Sequence, residues 1–390
     1  MIGTIIVDNK MIYMDNHATT PIASEVLEEM LPFYTTHFGN AASSHLYGIK
    51  PKEAVIKARQ QVADLIGCKF EEVIFTSGAT ESNNLAIRGV AYAYRDTGNH
   101  IITSTVEHHA ILDTCHALES EGFEITYLPV DRFGMVDPDA VKKAITTQTI
   151  LVSIIYANNE VGTINPLKDI AKIASNHEVL FHSDAVQGIG KIESNMDMLG
   201  LDLASMTAHK IYGPKGVGAL YLREGIELHP LFYGGGQENG IRSGTLNVGG
   251  IVGLGAACHS CSVAMDDKIE EKVGELRNIL HEKLSSRIPD IHLNGHPKKR
   301  LSGNLHISFK GIQNQALMMS LEKIAVSAGS ACDSESVSPS HVLSAMGIPD
   351  ELALTAVRFG VGRYNTSEEI DIVADEVEMT VKRLRSIAPV

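Results

Sequence analysis

The sequence predicts an α/β protein, with a large domain built on a mainly parallel sheet and a smaller α+β domain after it. Seven strand-like runs between residues 72 and 222 are mostly separated by helical patterns, and parallel strands need such helical crossovers. The 390 residues exceed what one hydrophobic core usually fills, so two domains are expected. Polar residues also gather just past several strand-like runs, where open α/β sheets bind their ligands. We expect the large domain to span 15–257 and the small one to combine 1–14 with 258–390, including a loop at 327–340.

Composition narrows the function classes. Hydrophobic residues make up 44% and charged residues 21%, as in an ordinary folded globular protein. The net charge of -14 leaves no basic excess to displace counterions, so nucleic acid is not an expected partner. No apolar run approaches the roughly 20 residues of a membrane span, and the N-terminus lacks a basic region followed by an apolar one. No membrane association and a cytoplasmic location are therefore expected. Five cysteines, Cys68, Cys115, Cys258, Cys261 and Cys332, are an odd number in a large chain and imply reduced thiols rather than a disulfide framework.

In chain order, Met1 to Met14 reads as a strand-like lead-in, and Asp15-Asn16-His17-Ala18-Thr19-Thr20-Pro21 as a polar turn that proline closes. A helix follows over 24–34. Phe38 to His45 is a small, polar loop of the kind that lines sites. From Pro51, apolar residues at Ala54, Ala58, Val62, Leu65 and Ile66 keep helical spacing up to Gly67. Glu72 to Thr76 then forms a strand, Ser77-Gly78 turns, and Ala79 to Leu85 opens a helix. A strand, a glycine turn and free N–H groups at a helix start suit an anion such as phosphate, although an N-capped helix without ligand has the same signature.

Strands at 100–106, 123–130, 150–157, 179–183, 201–206 and 217–222 follow, with helices at 110–121, 138–145 and 166–176. Their ends carry Glu107-His108-His109, Asn158-Asn159-Glu160, Asp184-Ala185-Val186-Gln187 and Thr207-Ala208-His209-Lys210. Gly234 to Thr245 is a glycine-rich loop that matches no dinucleotide fingerprint. Apolar 251–257 leads into an amphipathic stretch over 263–288. Strands at 291–293, 304–309 and 357–361 and helices at 315–323, 340–346 and 367–387 complete the small domain. Within it, Ser327 to Ser340 is small and polar, so Cys332 should be exposed there. Cys258-His259-Ser260-Cys261 supplies half of a four-ligand zinc site and no second pair lies nearby, so these are read as core or linker cysteines and no metal is expected. Cys68 and Cys115 fall in helical apolar patterns.

Lys210 carries the most chemistry. It closes an apolar strand-like run, with a glycine-proline turn just behind it. A partly buried lysine can lose its proton and add to an aldehyde as a Schiff base, and we read Lys210 as the residue that carries pyridoxal phosphate.

Together these motifs resemble the cysteine desulfurases, pyridoxal 5'-phosphate enzymes of aminotransferase class V and fold type I, and specifically the group that supplies sulfur for iron–sulfur clusters. The matching stretches are Asp15 to Pro21, Phe38 to His45, Thr76 to Ser82, Glu107-His108, Asn158 to Glu160, Asp184 to Gln187, His209 to Gly216, Arg242 to Thr245, Gly329 to Cys332 and Arg358-Phe359. They span nearly the whole chain. The resemblance implies that Lys210 binds the cofactor and moves the substrate's α-proton, that Asp184 keeps the pyridinium nitrogen protonated, and that Gln187 bonds the phenolic oxygen. His108 would stack on the ring and shuttle a proton, and Asn159 would touch cofactor and substrate. Ala79, Thr80, Thr207 and His209 would hold the phosphate, with Thr245 reaching in from the second subunit of a homodimer. Arg358 would grip the carboxylate of L-cysteine. Cys332 would take its sulfur as a persulfide, releasing L-alanine, and pass it to a cluster scaffold protein; Cys332 could itself ligate a cluster on that partner. Selenocysteine lyase, or another lyase using this cofactor, is the alternative on the same scaffold, and a noncatalytic scaffold-binding protein is the alternative outside enzymes.

Two positions depart from the family's pattern. Thr207-Ala208 stands where Ser-Gly or Ser-Ala is common, and keeps the hydroxyl. Asp333 follows Cys332 where Thr or Ser is more usual, with Glu335 two residues on. A carboxylate beside a thiol opposes thiolate formation, so Asp333→Ser is expected to speed persulfide formation at neutral pH. Alkylation rates that match between the two proteins across a pH series would overturn this.

Overall fold

Beta-branched and aromatic runs become strands whose neighbouring residues bury into opposite layers. In the computed structural model, which describes residues 11–329 and 338–387, the strands are β1 (Ile12–Tyr13), β2 (Val73–Thr76), β3 (His100–Ser104), β4 (Glu124–Leu128), β5 (Thr149–Ser153), β6 (Leu180–Asp184), β7 (Leu203–Thr207), β8 (Gly218–Leu222), β9 (Ile291–Leu293), β10 (Asn304–Phe309), β11 (Ile324–Ala325) and β12 (Ala356–Gly360). Seven of them make one sheet in the order β2-β8-β7-β6-β5-β3-β4. Pairs β7-β6, β6-β5, β5-β3 and β3-β4 are parallel. β8 runs antiparallel to both its neighbours, because it returns directly from β7 without a crossover helix.

Ile102, Val152, Ala204 and Phe75 pack into one core layer, while Ile101, Leu151, Leu203 and Ile74 pack into the other. Successive residues point to opposite faces, and burial on both explains why these strands read as continuous apolar runs rather than alternating ones. A third core holds Ile12, Met14, Val273, Leu280, Leu305, Ile307, Phe359 and Val377. It lies around β12-β10-β9, an antiparallel sheet. β1 pairs in parallel with β11, which ties the start of the described chain into this second unit.

Several sequence expectations change. The helix expected from Pro51 begins earlier, at Leu46–Ile66, with Pro51 inside it; its C-cap Gly67 sits at φ 61°, a left-handed turn that glycine adopts without a Cβ clash. Cys68 lies beyond that cap and is only partly buried, not within a helix. Cys115 is buried on helix His109–Glu119. The amphipathic stretch is two helices, Val248–Asp266 and Ile269–Arg287, broken at Lys268, whose φ is 55°.

Helix Val248–Asp266 is long and apolar enough, by length and composition, to cross a membrane, contrary to the expectation that no segment is. Its apolar side chains are mostly inside the protein: Leu254, Ala257, Cys258 and Cys261 belong to the large-sheet core. A helix that is apolar all round is a central helix when protein covers it. Its glycines let neighbours come close, since a Cβ on Gly255 would lie 2.5 Å from the Cα of Ala58.

Candidate active site

The carboxyl ends of β2, β5, β6 and β7 open onto one cleft of about 470 Å³, whose lining includes Ala79, Thr80, His108, Asn159, Asp184, Gln187, Thr207, His209, Lys210 and Arg358. Every site residue expected from sequence is therefore in this cleft, apart from Thr245 and Cys332. Thr245 is exposed and lines a separate groove with Asn40, Ala41 and Glu238, so the loop at 38–45 is not part of its own chain's cleft. Cys332, with Asp333 and Glu335, lies outside the described residues.

Lys210 ends a 3-10 turn, Ala208–Lys210, directly after β7. Its Nζ donates to the backbone oxygens of His17 and Ala18, the latter at 2.7 Å. Burial, then the positive charges of Arg358 and Lys191, lower its pKa to about 7. An amine held at that value is neutral in about half of the molecules at neutral pH and is a nucleophile there.

Asp184 ends β6 and is buried. Its Oδ2 accepts from Asn83 Nδ2 at 2.8 Å and its Oδ1 from the Val186 N–H at 3.2 Å. Gln187, one turn further, donates from Nε2 to the His17 carbonyl at 2.9 Å. His108 caps helix His109–Glu119: its Nδ1 accepts from the Ala110 N–H at 3.0 Å. Burial lowers its pKa, and with Nδ1 accepting, neutral His108 carries its proton on Nε2. Burial also brings His209 down to about 4, so it acts through hydrogen bonds rather than as an ion.

At the start of helix Ala79–Ala93, Gly78 has φ 151° and ψ -177°, a conformation open in practice only to glycine. A Cβ there would face Thr207 Oγ1 at 3.8 Å. Glu81, in the first turn, would repel an anion, but Arg242 neutralises it: Nε lies 2.7 Å from Oε1. Its other oxygen accepts from the Ser77 N–H at 2.8 Å.

Arg358, on β12, is 2% exposed. Its Nη1 donates to the carbonyls of Asn159 at 2.7 Å and Gly329 at 2.9 Å, and Nη2 to Asp15 Oδ1 at 3.0 Å; its Nε is buried with no partner among the described residues. It brings a cation from the second core to the rim of the first. Behind His108, Glu107 is fully buried, and desolvation pushes its pKa up to about 8. Its Oε1 accepts from Ser104 Oγ at 2.6 Å and from the Ile155 N–H at 2.9 Å.

Sequence reasoning missed three residues. Asp15 pairs with Arg358, Asn83 holds Asp184, and His17 contacts both Lys210 and Gln187. Asp15 and His17 lie in the polar turn that Pro21 closes, but a turn gives no hint of partners more than 150 residues away. Asn83 sits beside the half-buried Asn84 on the same helix, and only the packing of that helix against the sheet separates their roles.

The cleft suits an anionic group at a glycine turn, an aldehyde at Lys210, a basic ring nitrogen at Asp184 and a carboxylate at Arg358. Comparison with known proteins gives the family. The family model described as aminotransferase class-V matches residues 12–373. A protein of Dictyoglomus turgidum named cysteine desulfurase IscS is 50% identical over 380 residues, 97% of this chain and 96% of the relative. Its namesake in Methanosarcina thermophila is 48% identical over 98% of this chain and 95% of the relative. Among solved structures, a NifS-like protein is 39% identical with a TM-score of 0.90, covering 96% of this chain and 100% of that one. SspA in complex with cysteine is 37% identical with a TM-score of 0.79, covering 91% and 99%. This chain belongs to the aminotransferase class-V family.

Proposed function

We propose that the protein is a pyridoxal 5'-phosphate-dependent cysteine desulfurase that converts L-cysteine to L-alanine and keeps the sulfur as a persulfide on Cys332. The observation that carries this is the meeting of Lys210, Asp184, Gln187, His108 and Arg358 around one cleft. Relatives named cysteine desulfurase over nearly the whole chain support it, as does a related structure that binds cysteine.

Ala79, Thr80, Thr207 and His209 would hold the cofactor's phosphate at the glycine turn, and Asp184 would keep its ring nitrogen protonated. Bound there, pyridoxal phosphate supplies an electron sink next to the substrate's α-carbon. Gln187 orients the phenolic oxygen, and Asn159 contacts both cofactor and substrate. Arg358 binds the substrate carboxylate, since a planar guanidinium offers two parallel donors. Lys210 Nζ would take and return the α-proton, and His108 would lie against the cofactor and move a proton through Nε2. Cys332 Sγ forms a bond to the substrate sulfur as the substrate's carbon–sulfur bond breaks; the thiol proton balances the released alanine. Cys332 then gives the sulfur to an acceptor, for which a cluster scaffold protein is the proposed partner. In a homodimer, Thr245 of one protomer completes the phosphate site of the other.

Mass spectrometry after incubation with cysteine tests the proposal. An added sulfur on Cys332, absent in Lys210→Ala, is the expected result. Sulfide release that is undiminished in Cys332→Ser would overturn it in favour of a lyase.

A further inference from the structure

Gln187 is held by more than the cleft it lines. Its Oε1 lies 3.3 Å from Lys191 Nζ and 3.1 Å from His17 Nδ1, while its Nε2 donates to the His17 carbonyl at 2.9 Å. An ammonium or amine nitrogen can only donate to an amide oxygen, and a carbonyl can only accept from the amide nitrogen. One orientation of the Gln187 amide satisfies both neighbours, and the flipped one would set N–H against N–H and oxygen against oxygen. The orientation that remains leaves one N–H of Nε2 with no partner among the described residues, on a side chain that lines the cofactor cleft.

Lys191 sits behind the cleft in a narrow cavity of about 30 Å³ that also touches His17, Lys210, Tyr212, Glu270 and Arg363. That is space for about one water. Lys191 is half-buried, and holding a lysine ammonium largely out of water is costly without a task or a counter-charge. Burial lowers the pKa of Lys191, whereas Glu270 and then Cys261, on helix Val248–Asp266, act to keep its proton in place, and Arg358 opposes it. The positive field of Lys191 also reaches Lys210 and His17.

We infer that Lys191 is a positioning residue for the reaction: with His17 it locks Gln187 as a hydrogen-bond donor toward the phenolic oxygen of pyridoxal phosphate and adds a positive field behind Lys210. This rests on the reading of Lys210 as the cofactor lysine. A donor and a nearby cation both favour the form of the cofactor–lysine chromophore with fewer protons. Removing Lys191 therefore raises the pH at which the bound cofactor's absorbance changes.

The experiment is a pH titration of bound-cofactor absorbance in the holoenzyme and its variants. Lys191→Met is expected to raise the midpoint by about one pH unit or more, and Lys191→Arg to restore most of it. Lys191→Gln, which removes the charge at similar length, serves for the same comparison if the Met variant does not accumulate folded. In a Gln187→Leu background the Lys191 substitution should move the midpoint less, because part of its effect passes through that amide. A role in folding alone lowers thermal stability without moving the midpoint. Unchanged midpoints in a cofactor-loaded Lys191→Met or Lys191→Gln protein overturn the inference, as does an equal shift with and without Gln187. Failure of the unmodified protein to develop cofactor absorbance overturns the reading of Lys210 instead.

Discussion

At Lys210 a common residue becomes a reagent because of where its chain turns. The hydrogen bonds to the His17 and Ala18 carbonyls fix its nitrogen, and burial brings its pKa to about 7. The sign of the pH effect follows. Below that value Nζ is an ammonium and cannot attack; above it, the fraction of free amine saturates. Capture of pyridoxal phosphate by the cofactor-free protein should rise roughly tenfold between about pH 6 and about pH 8 and then level off. Rapid-mixing absorbance would measure it, and a rate that keeps climbing beyond about pH 9, as for an ordinary lysine, would contradict the assignment. Asp333 is the opposite case, a residue whose neighbour Cys332 is expected to hold its proton more tightly. Its effect was legible only as adjacent charge in the sequence, and the alkylation series with Asp333→Ser addresses it.

Elements carry the site by approaching one another closely, and close approach is what sequence patterns record least well. Helices Leu46–Ile66 and Val248–Asp266 touch where a Cβ on Gly255 would meet the Cα and Cβ of Ala58 at 2.5 and 2.7 Å. Backbone cannot rotate away as a long side chain can, so Gly255→Ala should cost about 2 kcal/mol through overpacking. Gly274→Ala is the control: on helix Ile269–Arg287 its Cβ would have an ordinary 3.6 Å contact with Ser302, and it should be neutral or stabilising by up to about 1 kcal/mol. Denaturant midpoints of the two variants would separate the cases; equal midpoints would show that the helices shift apart at little cost. The same geometry explains what the sequence did and did not reveal. Strands such as β3 and β5 were legible because burial on both faces sets apolar residues side by side, Ile101-Ile102 in one and Ile150-Leu151-Val152 in the other. The start of helix Val248–Asp266 was not, because a helix apolar on every side has no period to detect, and helix Leu46–Ile66 was begun too late because Pro51 resembles a start signal.

At the scale of the whole molecule, the cleft draws on two cores. Lys210, Asp184 and Gln187 come from the large sheet, whereas Arg358 comes from β12, whose neighbours Val357 and Phe359 belong to the other core. Arg358 crosses the junction through the Asn159 carbonyl, and Asp15, next to β1, neutralises it at 3.0 Å. The arginine was legible from its motif; its pairing with a residue 343 positions away was not, since an ion pair leaves no periodic trace. The arrangement makes the guanidinium's shape matter beyond its charge. Lysine in its place keeps a cation for Asp15 but loses the planar fork that holds carbonyl, carboxylate and substrate together. Arg358→Lys should therefore raise KM for cysteine by about 10–100-fold, equivalent to losing about 1.5–3 kcal/mol of charge-assisted bonding, with a smaller fall in kcat. Steady-state kinetics would read both. An unchanged KM would mean that the substrate carboxylate is held from the large-sheet side of the cleft, and that Arg358 serves to fasten the two cores to each other.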